Sequence, residues 1–372
     1  MTFELADELA RFDPSLPIEA ARTPPASWYR SAAFLEAEAD TVFRDSWIYA
    51  GPASKVREPG SFLTAELLGE PWVVVRDAAG TLRAFANSCR HHAARVALGE
   101  GVAEELVCPY HGWTYQLDGR LRRAPQLGRT EAFDPATCRL PEYPVRELGP
   151  LLFVYLGDEP RPPEDDLSEL ISRFDASGWN DLTWVARRTY EMECNWKVFA
   201  DNYLDGGYHI AHLHSGLDAQ LDMQSYRTQV FERWSLQTAG SSGDDAPSNE
   251  SIDFAERIGD GALYAYVYPN LAINRYGPVL DTNFIRPISA DKTEVVFDYW
   301  YQDTKGPEAQ AFIEKSLEAS DQVQQEDVDI CREVQRGLAS RSYDRGVYAG
   351  VETAMLAFHR LLAADLAKTR LA

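Results

Sequence analysis

The chain predicts an α+β protein made of a small all-β domain and a larger domain whose antiparallel sheet is flanked by helices. Three observations carry this. Residues 48–156 read as short β segments separated by turns, and residues 183–301 as a second set of strands. Helical periodicity dominates only near the start and again at 306–335 and 352–367. Between the two β parts lies Pro160-Arg161-Pro162-Pro163-Glu164-Asp165-Asp166, which reads as a linker. The expected divisions are a helical part at 1–44, the small domain at 45–159 and the larger one at 160–372.

Taken in order, residues 1–44 show two helical patterns broken at Pro14, Pro17 and Pro24-Pro25. Apolar residues at helical spacing run on from Ala32 to Trp47. Ser61–Leu67, 72–76 and 82–87 read as strands, with Ala78-Ala79-Gly80 a turn. Residues 113–116, 121–122, 143–147 and 151–156 add shorter ones. In the second part, 183–194 reads as a strand leading into 195–214. A polar loop occupies 240–249, and strands are expected at 230–238, 263–268, 272–276, 283–288 and 293–301.

Totals restrict function. A net charge of −22 argues against nucleic acid or an anionic membrane as partner and is compatible with a cationic substrate. No run approaches the eighteen apolar residues of a membrane span. The start, MTFELADELARFDPSLP, lacks the apolar core of a secretory signal. The five cysteines show no disulfide-framework spacing, so the protein reads as cytoplasmic.

The densest chemistry lies in residues 88–115, SCRHHAARVALGEGVAEELVCPYHGWTY, which hold Cys89-x-His91 and Cys108-x-x-His111. Two thiolates for one iron and two neutral imidazoles for the other fit a Rieske 2Fe–2S centre. A zinc site with the same ligands is the rival, but zinc sites pair Cys with Cys and His with His, and the order here is mixed. The cluster would sit on two loop tips within reach of a partner.

A second site is suggested by residues 195–214, NWKVFADNYLDGGYHIAHLH. His209, His212 and His214 cluster behind two acids, Asp201 and Asp205. Two histidines and one carboxylate, leaving open positions, are how non-haem Fe(II) oxygenases hold iron. Spacing does not choose the pair: on an ideal helix His209 and His212 are neighbours, and His209 and His214 stand about 140° apart. The latter pair converges only if the segment breaks or takes a π-type turn. The third ligand must come from elsewhere, with Glu326, Asp327 and Asp329 the nearest acidic candidates; taken alone they read as a solvated helix face.

The whole pattern, a Rieske pair set, then a linker, then NWK…DNY…YH-x4-H, resembles the catalytic α subunit of Rieske non-haem iron oxygenases over roughly residues 40–365. Within that family the chain resembles plant-type choline monooxygenase, through ADNYLDGGYHIAHLHSGLDAQLDMQSYRT, ALYAYVYPNLAINRYGPVLDTN, VVFDYW and VQQEDVDICREVQRGLASRSYDRGVYAGVE. The resemblance implies that an all-β Rieske domain is inserted in a catalytic domain to which residues 1–44 also belong. It implies that Cys89, His91, Cys108 and His111 hold the 2Fe–2S cluster. His209, His214 and Asp327 would hold a mononuclear Fe(II), with Glu326 the fallback and His212 a bystander. Asp205 is implied as the catalytic acid linking the metal sites of neighbouring subunits, and Asn202, three residues earlier in the DNY triplet, as a second catalytic residue. Most relatives place that acid three residues before the first iron histidine. Here Gly206-Gly207 makes the spacing four, which on a helix keeps both residues on one face.

A head-to-tail homotrimer is also implied, with a ferredoxin or ferredoxin reductase as donor, since no reductase segment is expected in the chain. The implied reaction is hydroxylation of choline to betaine aldehyde hydrate. The alternatives are N-demethylation of a betaine, attack on an aromatic ring, or, in another class, a simple electron carrier. A trimethylammonium head has no N–H to donate and is best held by ring faces. Tyr264, Tyr266, Tyr268, Tyr276, Phe284 and Trp300 are the candidates on the strands expected over the iron.

Overall fold

A computed structural model describes residues 5–128, 131–218, 221–241, 257–259 and 261–369. The chain divides into two compact units, Asp45–Pro160 and a discontinuous one formed by Met1–Arg44 with Arg161–Ala372.

The smaller unit is all-β, with strands β1 (Trp47–Pro52), β2 (Ser61–Leu67), β3 (Glu70–Arg76), β4 (Leu82–Ala86), β5 (Glu100–Val102), β6 (Glu105–Val107), β7 (Thr114–Gln116), β8 (Leu121–Arg123), β9 (Glu142–Tyr143), β10 (Val145–Leu148) and β11 (Leu151–Tyr155). They form sheets of order β5-β2-β3-β4-β9, β6-β7-β8 and β1-β11-β10. Val73, Val75, Phe85, Trp113, Tyr115 and Leu140 fill the core behind the ligand loops. The turn between β3 and β4 is fixed by Asp77, whose Oδ1 accepts from the N–H groups of Ala79 (2.9 Å) and Thr81 (2.8 Å). Pro144, which has no N–H for a ladder, splits the strand expected at 143–147 into β9 and β10.

The larger unit is built on one antiparallel sheet of seven strands: β12 (Thr183–Met192), β13 (Leu221–Val230), β14 (Trp234–Ser241), β15 (Gly261–Val267), β16 (Leu271–Tyr276), β17 (Val279–Ser289) and β18 (Lys292–Tyr301). Their order is β12-β18-β17-β16-β15-β14-β13. Gln237, Tyr264, Asn274, Asp281 and Tyr299 pair in register as one row across five strands, so they share a face. That face looks toward a 32-residue helix, since the Tyr299 hydroxyl meets Ser320 Oγ at 2.7 Å. This helix (Pro307–Leu338) buries the stripe Ile313, Ser316, Ser320, Gln324, Asp327 and Cys331.

Four expectations need correction. Pro163 does not close a linker; it opens a helix, Pro163–Ala176. Proline at the first position and Glu164, Asp165 and Asp166 in the first turn are helix-start signals. The strand expected at 230–238 starts later, as Trp234–Ser241, because Leu221–Val230 is itself a strand and Phe231 to Arg233 reverse the chain in a hairpin turn. The pattern from Ala32 is α-helical only to Glu38 and widens into a π turn over Ala39–Phe43, and Trp47 already belongs to β1. Asp327 lies on the buried stripe, not on a solvated helix face; only Asp329 of the three acids is fully exposed. The polar loop expected at 240–249 falls almost wholly outside the described residues.

Candidate active site and metal centres

In the smaller unit the two ligand loops are built alike. Cys89 N–H donates to Ala94 O (2.9 Å) and Ala93 N–H to Cys89 O (2.9 Å). Cys108 N–H donates to Trp113 O (2.8 Å) and Gly112 N–H to Cys108 O (3.0 Å). Each loop turns back through a left-handed residue, Ala93 at φ 61° and Gly112 at φ 71°. The thiols of Cys89 and Cys108 are buried side by side, and the Tyr115 hydroxyl lies 3.3 Å from Cys89 Sγ. Burial pushes the Cys108 thiol up, while the N–H groups of Tyr110 and His111 draw it down. The rings of His91 and His111 approach to 4.7 Å between centroids, and His91 stacks on Trp113 at 4.8 Å. His91 Nδ1 is buried without a hydrogen-bond partner among the described residues. A buried imidazole nitrogen with no partner, beside two adjacent thiols, is the donor set that a 2Fe–2S cluster takes up.

In the larger unit, Asn195 caps a helix (Trp196–Tyr203) by accepting from Lys197 N–H. Lys197 Nζ and Trp196 Nε1 donate to Glu38 at 2.5 and 2.7 Å, fully buried, and anchor this helix to the N-terminal segment. The helix then breaks. Gly206 and Gly207 take φ 75° and 76°, and a short helix, Ile210–Leu213, separates His209 from His214. This break brings the two rings to 5.0 Å between centroids, with His209 at one end of the short helix and His214 at the other. His209, His214 and Asp327 offer ligand atoms within 4.8 Å of one another, a group that could hold a metal ion.

Carboxylates orient both imidazoles. His209 Nδ1 donates to Asp205 Oδ2 at 2.7 Å, and His214 Nδ1 to Glu326 Oε2 at 2.6 Å, leaving each Nε2 for a metal. Glu326 is thus an orienting acid in this arrangement, whereas Asp327 Oδ1 faces His214 Nε2 at 3.1 Å. Burial draws the His214 pKa down, but Asp327 and Glu326 outweigh it and hold the group above its ordinary value. Asn202 Nδ2 donates to Asp327 Oδ1 at 2.8 Å. The Asp205–His209 contact does not arise on one helix face, as the four-residue spacing suggested. Asp205 instead closes a turn, accepting also from the N–H groups of Tyr208 (3.1 Å) and His209 (2.9 Å). His212 is exposed, and Asp201 is engaged by Tyr29 (2.7 Å) and His359 (2.9 Å).

A cavity of about 140 Å³ adjoins this group, walled by His209, His214, Asp327, Asn202, Tyr203, Tyr226, Gln237, Arg257, Tyr264, Asn274, Tyr276, Asp281 and Phe297, among others. Of the six aromatic candidates, only Tyr264 and Tyr276 reach it. Tyr276 is compromised, since the Arg257 guanidinium lies 5.0 Å from its ring centre and Nη2 donates to its hydroxyl at 2.8 Å. Tyr266 packs behind Tyr203 and against Phe358, and Tyr268, past the end of β15, donates to Asp365 at 2.9 Å. Phe284 and Trp300 fall on the opposite sheet face, because Asn283 and Phe297, odd-numbered on their strands, face the cavity. Those four are corrected out of the cavity wall. Sequence reading missed Tyr203, Tyr226, Phe297 and the buried Asp281, which accepts from Tyr276, from Asn274 (2.7 Å) and from Asn283 (3.1 Å). The Tyr203 signal was present in the DNY triplet; the others gave none.

Residues 46–144 match the Rieske [2Fe-2S] domain, and residues 179–368 match the ring hydroxylating alpha subunit (catalytic domain). Those matches define the class: the chain belongs to the Rieske non-haem iron oxygenases as an α subunit, whose cofactors are a Rieske cluster and a mononuclear iron. Within it, the chain is 41% identical to the chloroplastic choline monooxygenase of Arabidopsis thaliana, over 96% of this chain and 86% of that one. It is 29% identical to the carnitine monooxygenase oxygenase subunit of Acinetobacter pittii, over 87% of each. Among solved structures, a quaternary ammonium Rieske monooxygenase in complex with substrate L-carnitine superposes with a TM-score of 0.80 at 26% identity, covering 98% of this chain and 99% of that one. Naphthalene 1,2-dioxygenase from Rhodococcus sp. shares the fold at TM-score 0.77 and 19% identity, over 98% of each. No helix among the described residues is long and apolar enough to cross a membrane.

Proposed function

We propose that the chain is the oxygenase component of a choline monooxygenase: choline, O2, two electrons and two protons give betaine aldehyde hydrate and water. The observation that carries this reading is the cavity beside His209, His214 and Asp327, which combines ring faces with one buried carboxylate, Asp281. A quaternary ammonium cannot donate a hydrogen bond, so ring faces are what best hold it; burial raises the Asp281 pKa, and the neighbouring Arg257 opposes its charge. Tyr203, Tyr264 and Phe297 offer the faces.

His209, His214 and Asp327 would hold the mononuclear iron, and Cys89, His91, Cys108 and His111 the cluster. When bound, these groups supply O2 activation and single-electron transfer respectively. The chain's part is to orient and to exclude water. Asp205 and Glu326 fix the imidazole rings through Nδ1, and Asn202 holds Asp327 by one oxygen. In this reading Asp205 would also be the acid that joins metal sites across a homotrimer fed by a ferredoxin-type donor. The five cysteines are free thiols, which suits a reducing, cytoplasmic setting.

The reading is tested by incubating reconstituted enzyme and reductase with choline, carnitine, glycine betaine and a simple arene while following O2 and product. Choline should couple O2 uptake to betaine aldehyde. Formaldehyde release from a betaine, or coupling only to the arene, would replace it. The betaine alternative has one observation in its favour, the buried Arg257 at the cavity, whose Nε has no hydrogen-bond partner among the described residues and could meet a carboxylate.

A further inference from the structure

Among the described residues, a second polar atom at the cavity has no partner. Gln237, only 2% exposed, stands in β14 beside Tyr264 of β15 and lines the cavity. Its Nε2 donates to Tyr203 O at 2.9 Å. Tyr203 is the last residue of its helix, so its carbonyl has no partner within the helix and must be satisfied from outside. A carbonyl can only accept, which fixes the orientation of the amide: nitrogen toward Tyr203, oxygen away from it. That oxygen, Oε1, is buried with no hydrogen-bond partner among the described residues. A buried acceptor left unpaired is destabilising, and native structures keep few of them without a ligand or a water to meet them.

We propose that Gln237 Oε1 is the specificity-determining acceptor for the hydroxyl of the substrate, so that the site selects a quaternary ammonium alcohol over a betaine acid. This rests on the choline reading above and deepens it. Two placements support it. Gln237 is bonded to Tyr203, whose neighbour Asn202 holds Asp327, so the acceptor is tied to the segment that leads into the metal group. Tyr264 is its registered neighbour one strand away on the same sheet face, and both line the cavity, so one small ligand can meet the two side chains together. With its head over Tyr264 and its hydroxyl on Gln237, the substrate in this proposal presents its carbinol carbon, not an N-methyl, for reaction. A carboxylate in the same place would meet a lone pair with a lone pair, and it has no proton to offer.

The test is anaerobic calorimetric binding to oxidised holoenzyme, with choline, its O-methyl ether and glycine betaine as ligands. Wild type should bind choline about tenfold more tightly than the ether, which keeps the cation and loses the O–H. Gln237→Leu should reduce choline to the level of the ether while leaving ether binding within about twofold. Gln237→Met, flexible and without an acceptor of comparable strength, repeats the test should the leucine variant fold poorly. In turnover, either variant should begin to release formaldehyde from choline beside betaine aldehyde, a change of position that mere loosening of the core would not produce. The proposal is overturned if wild type binds the ether or glycine betaine as tightly as choline, a result that needs no variant. It is equally overturned if the variants lose choline and ether in parallel. Should wild type prefer choline to the ether yet give no betaine aldehyde, the reaction assigned above fails and the role of Gln237 stands.

Discussion

Gly206→Ala should empty the mononuclear site while sparing the cluster, and the structure gives the scale of the effect. Gly206 has φ 75°, and a Cβ built on it would lie 2.5 Å from Val351 O, 0.9 Å inside the 3.4 Å at which ordinary contact begins. A left-handed alanine costs roughly 1–2 kcal/mol, and overpacking adds roughly 1–3, so about 2–5 kcal/mol must be relieved by moving backbone. The residues that would move are those whose bonds of 2.7 and 2.9 Å from His209 to Asp205 orient the imidazole. A displacement near 0.9 Å takes both beyond hydrogen-bond length. Gly207→Ala provides the internal comparison: its Cβ would meet the Tyr226 ring at 3.0 Å, a side chain that can yield where a backbone carbonyl cannot. Iron per chain and the Rieske visible absorption are the assays. Three irons in wild type should fall to about two in Gly206→Ala with the absorption intact, and Gly207→Ala should retain more. A Gly206→Ala protein with full iron and unchanged thermal stability would refute the reasoning.

Four further outcomes are expected. His209→Ala or His214→Ala should remove the mononuclear iron and leave the Rieske absorption, whereas exposed His212→Ala should keep three irons per chain by metal analysis. Asp205→Asn should retain both metals but lose on the order of 100-fold or more in turnover, because the amide no longer takes the His209 proton as a charge; single-turnover reoxidation of the reduced cluster is the measurement. Tyr264→Leu should raise KM for choline about tenfold without a like change for neutral 3,3-dimethylbutanol, while Tyr266→Leu and Trp300→Leu should lower stability and leave that selectivity alone. Iron retention should weaken in acid. Protonated His214 is favoured above its ordinary range in the metal-free site, so a proton competes with iron as pH falls through that raised value, by about tenfold per unit where one proton is displaced. Glu326→Gln removes one of the carboxylates that raise it and should shift the fall to lower pH in equilibrium dialysis.

Much of the chemistry was legible in the sequence because it is carried by local spacing. Cys89-x-His91 and Cys108-x-x-His111 each fit one tight loop, and a loop of that length has few ways to point a thiol and an imidazole the same way. The long helix over 306–335 was likewise visible as a periodicity. The linker was misread because proline followed by acids is shared by linkers and helix starts, and only the buried stripe Leu167, Leu170 and Phe174 separates them.

What the sequence determined by itself is the donor inventory: which side chains can hold two metals, and in what order along the chain. Local spacing reaches about one helical turn, and it left His209, His212 and His214 undecided. The tertiary structure brings His209 and His214 together and leaves His212 exposed, by breaking the helix at two left-handed glycines, of which Gly206 has no room for a Cβ, and by bringing Asp327 in from more than a hundred residues away. The same holds for the cavity. Strand propensity marks aromatic residues as sheet formers without saying which face they take or how far along it they stand. Tyr264 was placed at the cavity and Trp300 behind it by strand register and by the helices laid over one face. Those are sums of long-range contacts, and no short window of sequence contains them.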